Sequence, residues 1–180
     1  MIILASKSPR RKELLSLITD DFTVDSAEVD ETLPYDIEPD KAVEYLSKIK
    51  AQPFRENGKI VIGADTVVAI DGKILGKPKN EKDAFLMLKN LSGKEHSVFT
   101  GVTVIKNDKE VTFSVQTKVK FFELDDREIE DYISSGEPFD KAGAYGIQGK
   151  GSLFVEKIDG DYFNVVGLPI SRLARQLKSI

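Results

Sequence analysis

The sequence predicts one α/β domain built on a mixed β-sheet with helices packed against it. Three observations point there. In the first half of the chain, short apolar runs alternate with amphipathic helical stretches, the order expected of crossover connections. Two long β-rich runs, 98–105 and 111–122, then meet at Asn107-Asp108, which is hairpin chemistry and implies antiparallel strands. Finally, 180 residues without a repeat, linker or low-complexity tract suffice for one core, so 1–180 reads as a single domain.

The elements follow in order. The opening Met-Ile-Ile-Leu-Ala-Ser has neither the basic start nor the long apolar segment of a leader, and 2–5 reads as a first strand. Ser8-Pro9 is an N-cap followed by proline at the first helical position, opening a helix to about Leu17 with Leu14, Leu15 and Ile18 inward. A strand over 22–26 leads into the acidic loop Glu28-Val29-Asp30-Glu31. The helix over 39–52 carries Ala42, Tyr45, Leu46 and Ile49 at helical spacing. Residues 60–70 read as a buried strand that turns at Asp71-Gly72. Asn80 caps a third helix, with Ala84, Met87, Leu88 and Leu91 inward and Gly93 at its end. Beyond the long antiparallel pair, a helix near 126–135 stops at Gly136, and a glycine-rich loop occupies 141–149. A hairpin of 153–157 with 162–166, turned at Asp159-Gly160, comes next. Pro169 opens the last helix, with Ile170, Leu173, Ala174 and Leu177 inward.

Composition removes several functional classes. There is no cysteine, hence no disulfide, thiolate metal site or cysteine nucleophile, and the single histidine, His96, leaves no multi-histidine site. His96 reads as a strand-start residue without a role. A net charge of −4 gives no global attraction to nucleic acid or an anionic membrane, so an anionic ligand must be caught by a local cluster. No stretch approaches a membrane span, and a cytoplasmic location is the expectation.

Chemistry concentrates around Asp65, a carboxylate inside the apolar run Ile60–Ile70. Such a group is costly unless a cation or hydrogen bonds compensate it, and it serves either a structural ion pair or a ligand. Gly63 and Ala64 read as cleared space for a close ligand approach. Arg10 and Arg11 fall in the first turn of a helix, the wrong sign for the macrodipole unless a multiply charged anion docks there; Lys12 reads as solvated. Lys50 borders the apolar face of its helix, a position that also suits a solvated flank. Lys77 leaves a strand into the rigid turn Gly76-Lys77-Pro78, and Lys141 opens the glycine-rich loop in which Gln148 presents an amide able to read a base edge. Should Glu31 fold back beside Asp65, the pair forms an oxygen-only site suited to Mg²⁺ or Mn²⁺.

Five blocks in order, Ser6-Lys7-Ser8-Pro9-Arg10-Arg11, Lys50-Ala51, Gly63-Ala64-Asp65-Thr66-Val67-Val68, Gly76-Lys77-Pro78 and Asp140-Lys141-Ala142-Gly143-Ala144-Tyr145-Gly146-Ile147-Gln148-Gly149, together resemble the Maf family. The similarity extends to Val165-Val166-Gly167-Leu168-Pro169, essentially the whole chain. The resemblance implies an elongated mixed sheet flanked by helices, like the inosine triphosphatase group, and a nucleoside triphosphate pyrophosphatase in which water attacks the α-phosphorus. It implies Asp65 as proton acceptor, Glu31 and Asp65 at a divalent metal, and Arg11, Lys50, Lys77 and Lys141 as a triphosphate clamp, with Ser8 also binding substrate. Arg10, Thr66 and Gln148 match the branch that prefers dTTP and UTP, with some modified pyrimidine triphosphates. Similar proteins are often homodimers. The competing reading is a nucleotide-binding regulator of septum formation without turnover.

Overall fold

Strand β3 (Ile60–Ile70) organises the sheet in the computed structural model, which describes residues 1–180 with the side chains of 56 and 57 left aside. β1 (Ile2–Ala5) lies beside β3, and β2 (Phe22–Asp25) beside β1, all parallel. On its other side β3 pairs antiparallel with β5 (Glu95–Lys106), which continues through β6 (Lys109–Phe121) to β7 (Val155–Asp159). The order is therefore β2-β1-β3-β5-β6-β7, with the short β4 (Lys73–Leu75) turned back onto the end of β3. The expected mixed sheet is present. Its parallel part follows from the helical connections, because parallel neighbours need a crossover, and its antiparallel part from the turns at Asp71-Gly72 and Asn107-Asp108.

α1 (Pro9–Ser16) and α6 (Ile170–Leu177) enclose one core with Leu4, Leu15, Ile62, Leu168 and Leu173 buried together. α3 (Glu81–Leu91), capped by Asn80, and α4 (Asp126–Ser134), with a capping box of Asp125 and Glu128, enclose another around Phe121. α2 (Pro39–Ala51) crosses the opposite side of β3 and β5. Its buried face is Ala42, Val43, Leu46, Ser47 and Ala51, whereas Tyr45 is exposed and Ile49 only partly covered, a correction to the stripe read from spacing.

The reason is a close backbone approach. A Cβ on Gly63 would stand 2.1 Å from the Ser47 carbonyl oxygen, and one on Gly101 would stand 2.2 Å from that of Val43. Two glycines set diagonally on the neighbouring strands β3 and β5 thus admit a helix whose contact residues are small. Gly63 clears space for α2 and not for a ligand, which corrects its sequence reading.

The second correction concerns 162–166. These residues form α5 (Tyr162–Val166), not a hairpin strand. The Asp161 carboxylate accepts from the N–H groups of Phe163 at 2.8 Å and Asn164 at 3.3 Å, an N-cap that starts a helix where a five-residue apolar run suits either period. β7 pairs instead with β6.

One feature of this topology positions the site. β1 ends opposite Gly63, and the antiparallel β4 ends, at Leu75, opposite Val68. On that edge of β3, Ala64, Asp65, Thr66 and Val67 have no strand neighbour, so the sheet carries a gap at the carboxyl end of β1. Crevices outside the carboxyl ends of parallel strands are where open α/β sheets bind ligands.

Candidate active site

The gap opens into a cleft of about 1010 Å³, within reach of the upper range for small-molecule sites. Its walls come from the start of α1, the acidic loop after β2, the end of α2, β3, the turn after β4 and the loop 141–149. Every residue expected to bind or react lines it: Ser8, Arg10, Arg11, Glu31, Lys50, Asp65, Thr66, Lys77, Lys141 and Gln148.

Asp65 faces α2, the side opposite the neighbouring Ala64 and Thr66. Its side chain is only 14% exposed, and its Oδ1 lies 2.5 Å from Lys50 Nζ. Burial of an ionised carboxylate is compensated here by a directly bonded ammonium. Lys50 reaches it because Gly63 and Gly101 draw α2 down onto the sheet. The same ammonium lies 3.1 Å from Glu31 Oε2, so Glu31 does fold back to Asp65 and the two carboxylates converge on one cation. Glu31 is 55% exposed, which leaves this second arm open to solvent. That convergence is the test of fit for a divalent metal. The donors are two carboxylates, hard oxygen ligands of the kind Mg²⁺ and Mn²⁺ take. Among the described residues no group of three His, Cys, Asp or Glu side chains is arranged to hold an ion, so substrate oxygens would have to complete the coordination.

On the other face of β3, Arg11 fills the gap. Its Nη1 donates to the Ala64 carbonyl oxygen at 2.8 Å and to Ser6 Oγ at 3.2 Å, its Nε to the Gly167 carbonyl oxygen at 2.9 Å, and its Nη2 to Thr66 Oγ1 at 3.1 Å. A guanidinium has five N–H donors, so one remains for a ligand. Burial lowers the Arg11 pKa from its ordinary value, with Asp65 acting in the opposite sense. The residue therefore replaces the missing strand neighbour at Ala64 while keeping its charge at the cleft wall.

Thr66 is committed in the same way. Thr100 Oγ1 donates to the Asn164 carbonyl oxygen at 2.8 Å and lies 2.9 Å from Thr66 Oγ1. With the Thr100 proton so used, the Thr66 hydroxyl donates to Thr100 and accepts from Arg11. Thr66 touches the cleft, but its polar atom points to the protein.

The remaining cations differ. Arg10 Nη1 lies 3.4 Å from Asp140 Oδ2, and Lys141 Nζ donates to Asp140 Oδ1 and to the Glu137 carbonyl oxygen, both at 2.7 Å. Burial pushes the Asp140 carboxyl up, but Lys141 and Arg10 outweigh it and hold it below the usual carboxylate range. Lys77 is exposed and makes no hydrogen bond or ion pair with another described residue, as does the Gln148 amide. The Ser8 side chain makes no capping bond, leaving the N-terminus of α1 open to the cleft. Lys12 is exposed, as expected.

The sequence gives no separate role to Ser6, Thr100, Asp140, Glu137 or His96. Ser6 and Asp140 lie within the blocks that carry the family resemblance, and Asp140 is also an acid directly before a cation. The His96 ring is buried, 2.8 Å from the Tyr145 hydroxyl through Nε2, and packs edge-on against Phe121.

Comparison with known proteins identifies relatives along the whole chain. Residues 1–180 match the Maf-like protein family. A dTTP/UTP pyrophosphatase of Bacillus cereus is 55% identical over 179 residues, covering 98% of this chain and 94% of that protein. One from Bacillus pumilus is 54% identical over 180 residues, with 99% and 95% covered. Among solved structures, the Staphylococcus aureus Ham1 protein superposes with a TM-score of 0.58 at 15% identity, covering 99% of this chain and 98% of that one. A HAM1 protein from Coxiella burnetii gives a TM-score of 0.54 at 12% identity over the same shares. At those identities the likeness is one of fold, and the mixed sheet flanked by helices is the architecture shared.

Proposed function

The chain belongs to the Maf family, and from that premise we propose that it hydrolyses dTTP and UTP to the monophosphate and pyrophosphate. The observation that carries the reading is Asp65, a nearly buried carboxylate in the sheet gap, fixed by Lys50 and surrounded by cations. The triphosphate lies along the open N-terminus of α1, Arg11, Lys77 and Lys141, and the base extends to Gln148. Helix N–H groups and these cations offset charge that grows on the departing pyrophosphate.

Water attacks the α-phosphorus, and the bond to the bridging oxygen of the pyrophosphate breaks. Asp65 accepts the water proton, which requires a carboxylate at hydrogen-bonding distance from the nucleophile and held against rotation. Lys50 supplies that restraint. Glu31 and Asp65 would hold a Mg²⁺ or Mn²⁺, which would supply neutralisation of phosphate charge and acidification of the attacking water. Arg10, Thr66 and Gln148 set base preference, Gln148 by direct contact of its free amide. The enzyme works in the cytoplasm, where its substrates are, and among the described residues no helix is long and apolar enough to cross a membrane.

The test is pyrophosphate release from a panel of canonical and modified nucleoside triphosphates with either metal. Preference for dTTP and UTP is expected. Nucleotide binding without turnover would support the regulatory reading in its place.

A further inference from the structure

We infer that Glu137, acting with Tyr132, is the positioning residue for base selection: it fixes the backbone on both sides of Gln148. The inference rests on the proposed function, since it concerns how that same cleft chooses a pyrimidine.

Gln148 is exposed on the cleft wall, and its amide has no partner among the described residues. Nothing holds the side chain itself, so its aim depends on the loop that carries it. That loop is held at two points by one pair of groups. On one side the Gly146 N–H donates to the Tyr132 hydroxyl oxygen at 3.3 Å. On the other, the Lys150 N–H donates to Glu137 Oε2 at 3.1 Å and the Gly151 N–H to Glu137 Oε1 at 3.2 Å. The Tyr132 hydroxyl closes the frame by donating to Glu137 Oε1 at 3.3 Å. Burial, and then the Glu137 charge, push the Tyr132 phenol above its ordinary value, so it remains a donor.

The carboxylate makes no ion pair with a basic side chain among the described residues; its oxygens are given to the loop. Glycine is needed around it. Gly149 has φ +72°, and a Cβ there would stand 2.9 Å from both Glu137 oxygens. A Cβ on Gly151 would stand 3.0 Å from the Tyr132 hydroxyl and 2.4 Å from the Gly146 carbonyl oxygen. These glycines serve the loop's own packing. Glu137 also touches the phosphate end, because its carbonyl oxygen accepts from Lys141 Nζ at 2.7 Å. That bond is made by the backbone and survives replacement of the side chain. The side chain thus governs the base reader alone, which separates the two functions by mutation.

The experiment measures kcat/KM for dTTP, UTP, dCTP and dGTP in the wild type, Glu137→Ala, Glu137→Gln and Tyr132→Phe, with amide exchange at Gly146, Lys150 and Gly151. Glu137→Ala is expected to narrow the preference for dTTP over dGTP by about tenfold, with dGTP turnover little changed and exchange at Lys150 and Gly151 accelerated. Glu137→Gln, which keeps one acceptor oxygen, restores part of the preference. Tyr132→Phe narrows it by about threefold and exposes Gly146, and it decides the matter alone if Glu137→Ala does not fold. An unchanged preference in a folded variant, or a uniform fall for all four nucleotides, overturns the inference while leaving the proposed function intact. A wild type that cleaves no triphosphate overturns both.

Discussion

The two ends of the cleft are built on opposite plans. At the proposed phosphate end, Asp65, Arg11 and Lys50 stand on the regular elements β3, α1 and α2 and are paired with the protein, Lys50 with Asp65 and Glu31 and Arg11 with four acceptors. Lys77 and Lys141 join them from loops. At the proposed base end, the residue placed to meet the ligand is an uncommitted amide on a glycine-rich loop, and the pairing lies behind it in Glu137 and Tyr132. The difference follows from what each end must recognise. A triphosphate presents dense charge, and cations preset in a partly desolvated wall meet it without reorganising. A base presents an edge of donors and acceptors, and discrimination requires a free hydrogen-bonding group at a fixed place.

If that contrast is correct, damage at the phosphate end should cost stability as well as activity. Arg11→Met leaves the Ala64 and Gly167 carbonyl oxygens without their donor, and a loss of about 3 kcal/mol in urea unfolding is expected. A variant as stable as the wild type would break the comparison, because Arg11 would then serve only the ligand.

The next effect belongs to the support of the base end. Burial lowers His96 from 6.5 to about 4, so the folded protein keeps the ring neutral while the unfolded chain binds a proton. Its contribution to stability is therefore fully present above pH 6.5 and lost as pH falls toward 4, up to about 3 kcal/mol. In urea unfolding between those pH values, His96→Gln should lose this acid sensitivity, so that the difference in stability between the two proteins carries it. The smallest effect is expected at Gln148. Gln148→Glu removes the amide donor from an exposed side chain, and a fall of about tenfold in kcat/KM for dTTP and UTP is expected with unfolding unchanged. A stability change there would show that Gln148 is part of the frame and not only the reader.

The same contrast explains what was legible in the sequence. Asp65 stood out because a carboxylate interrupts an apolar strand, and Arg10 and Arg11 because cations open a helix against its dipole. These are local anomalies. The partner of Asp65 is on α2, and no spacing rule reports that two glycines on separate strands bring Lys50 to it. Glu137 was silent for another reason: its partners are backbone N–H groups, which carry no residue signature. Most elements were legible from period and caps, but 162–166 was not, because its helix is decided by the Asp161 cap and by packing under the sheet. The buried face of α2 was likewise set by the glycines it meets, which displaced Tyr45 from the core.

The proposed proton transfer runs from the water that attacks the α-phosphorus to Asp65, in the gap of β3. Its most direct test is turnover of dTTP in ¹⁸O-labelled water by the wild type and by Asp65→Asn, with dTTP binding measured alongside. Label is expected in the monophosphate and none in pyrophosphate, with a fall in turnover of about 10³-fold in the variant and binding retained. Label in pyrophosphate, or turnover by Asp65→Asn close to that of the wild type, would contradict it.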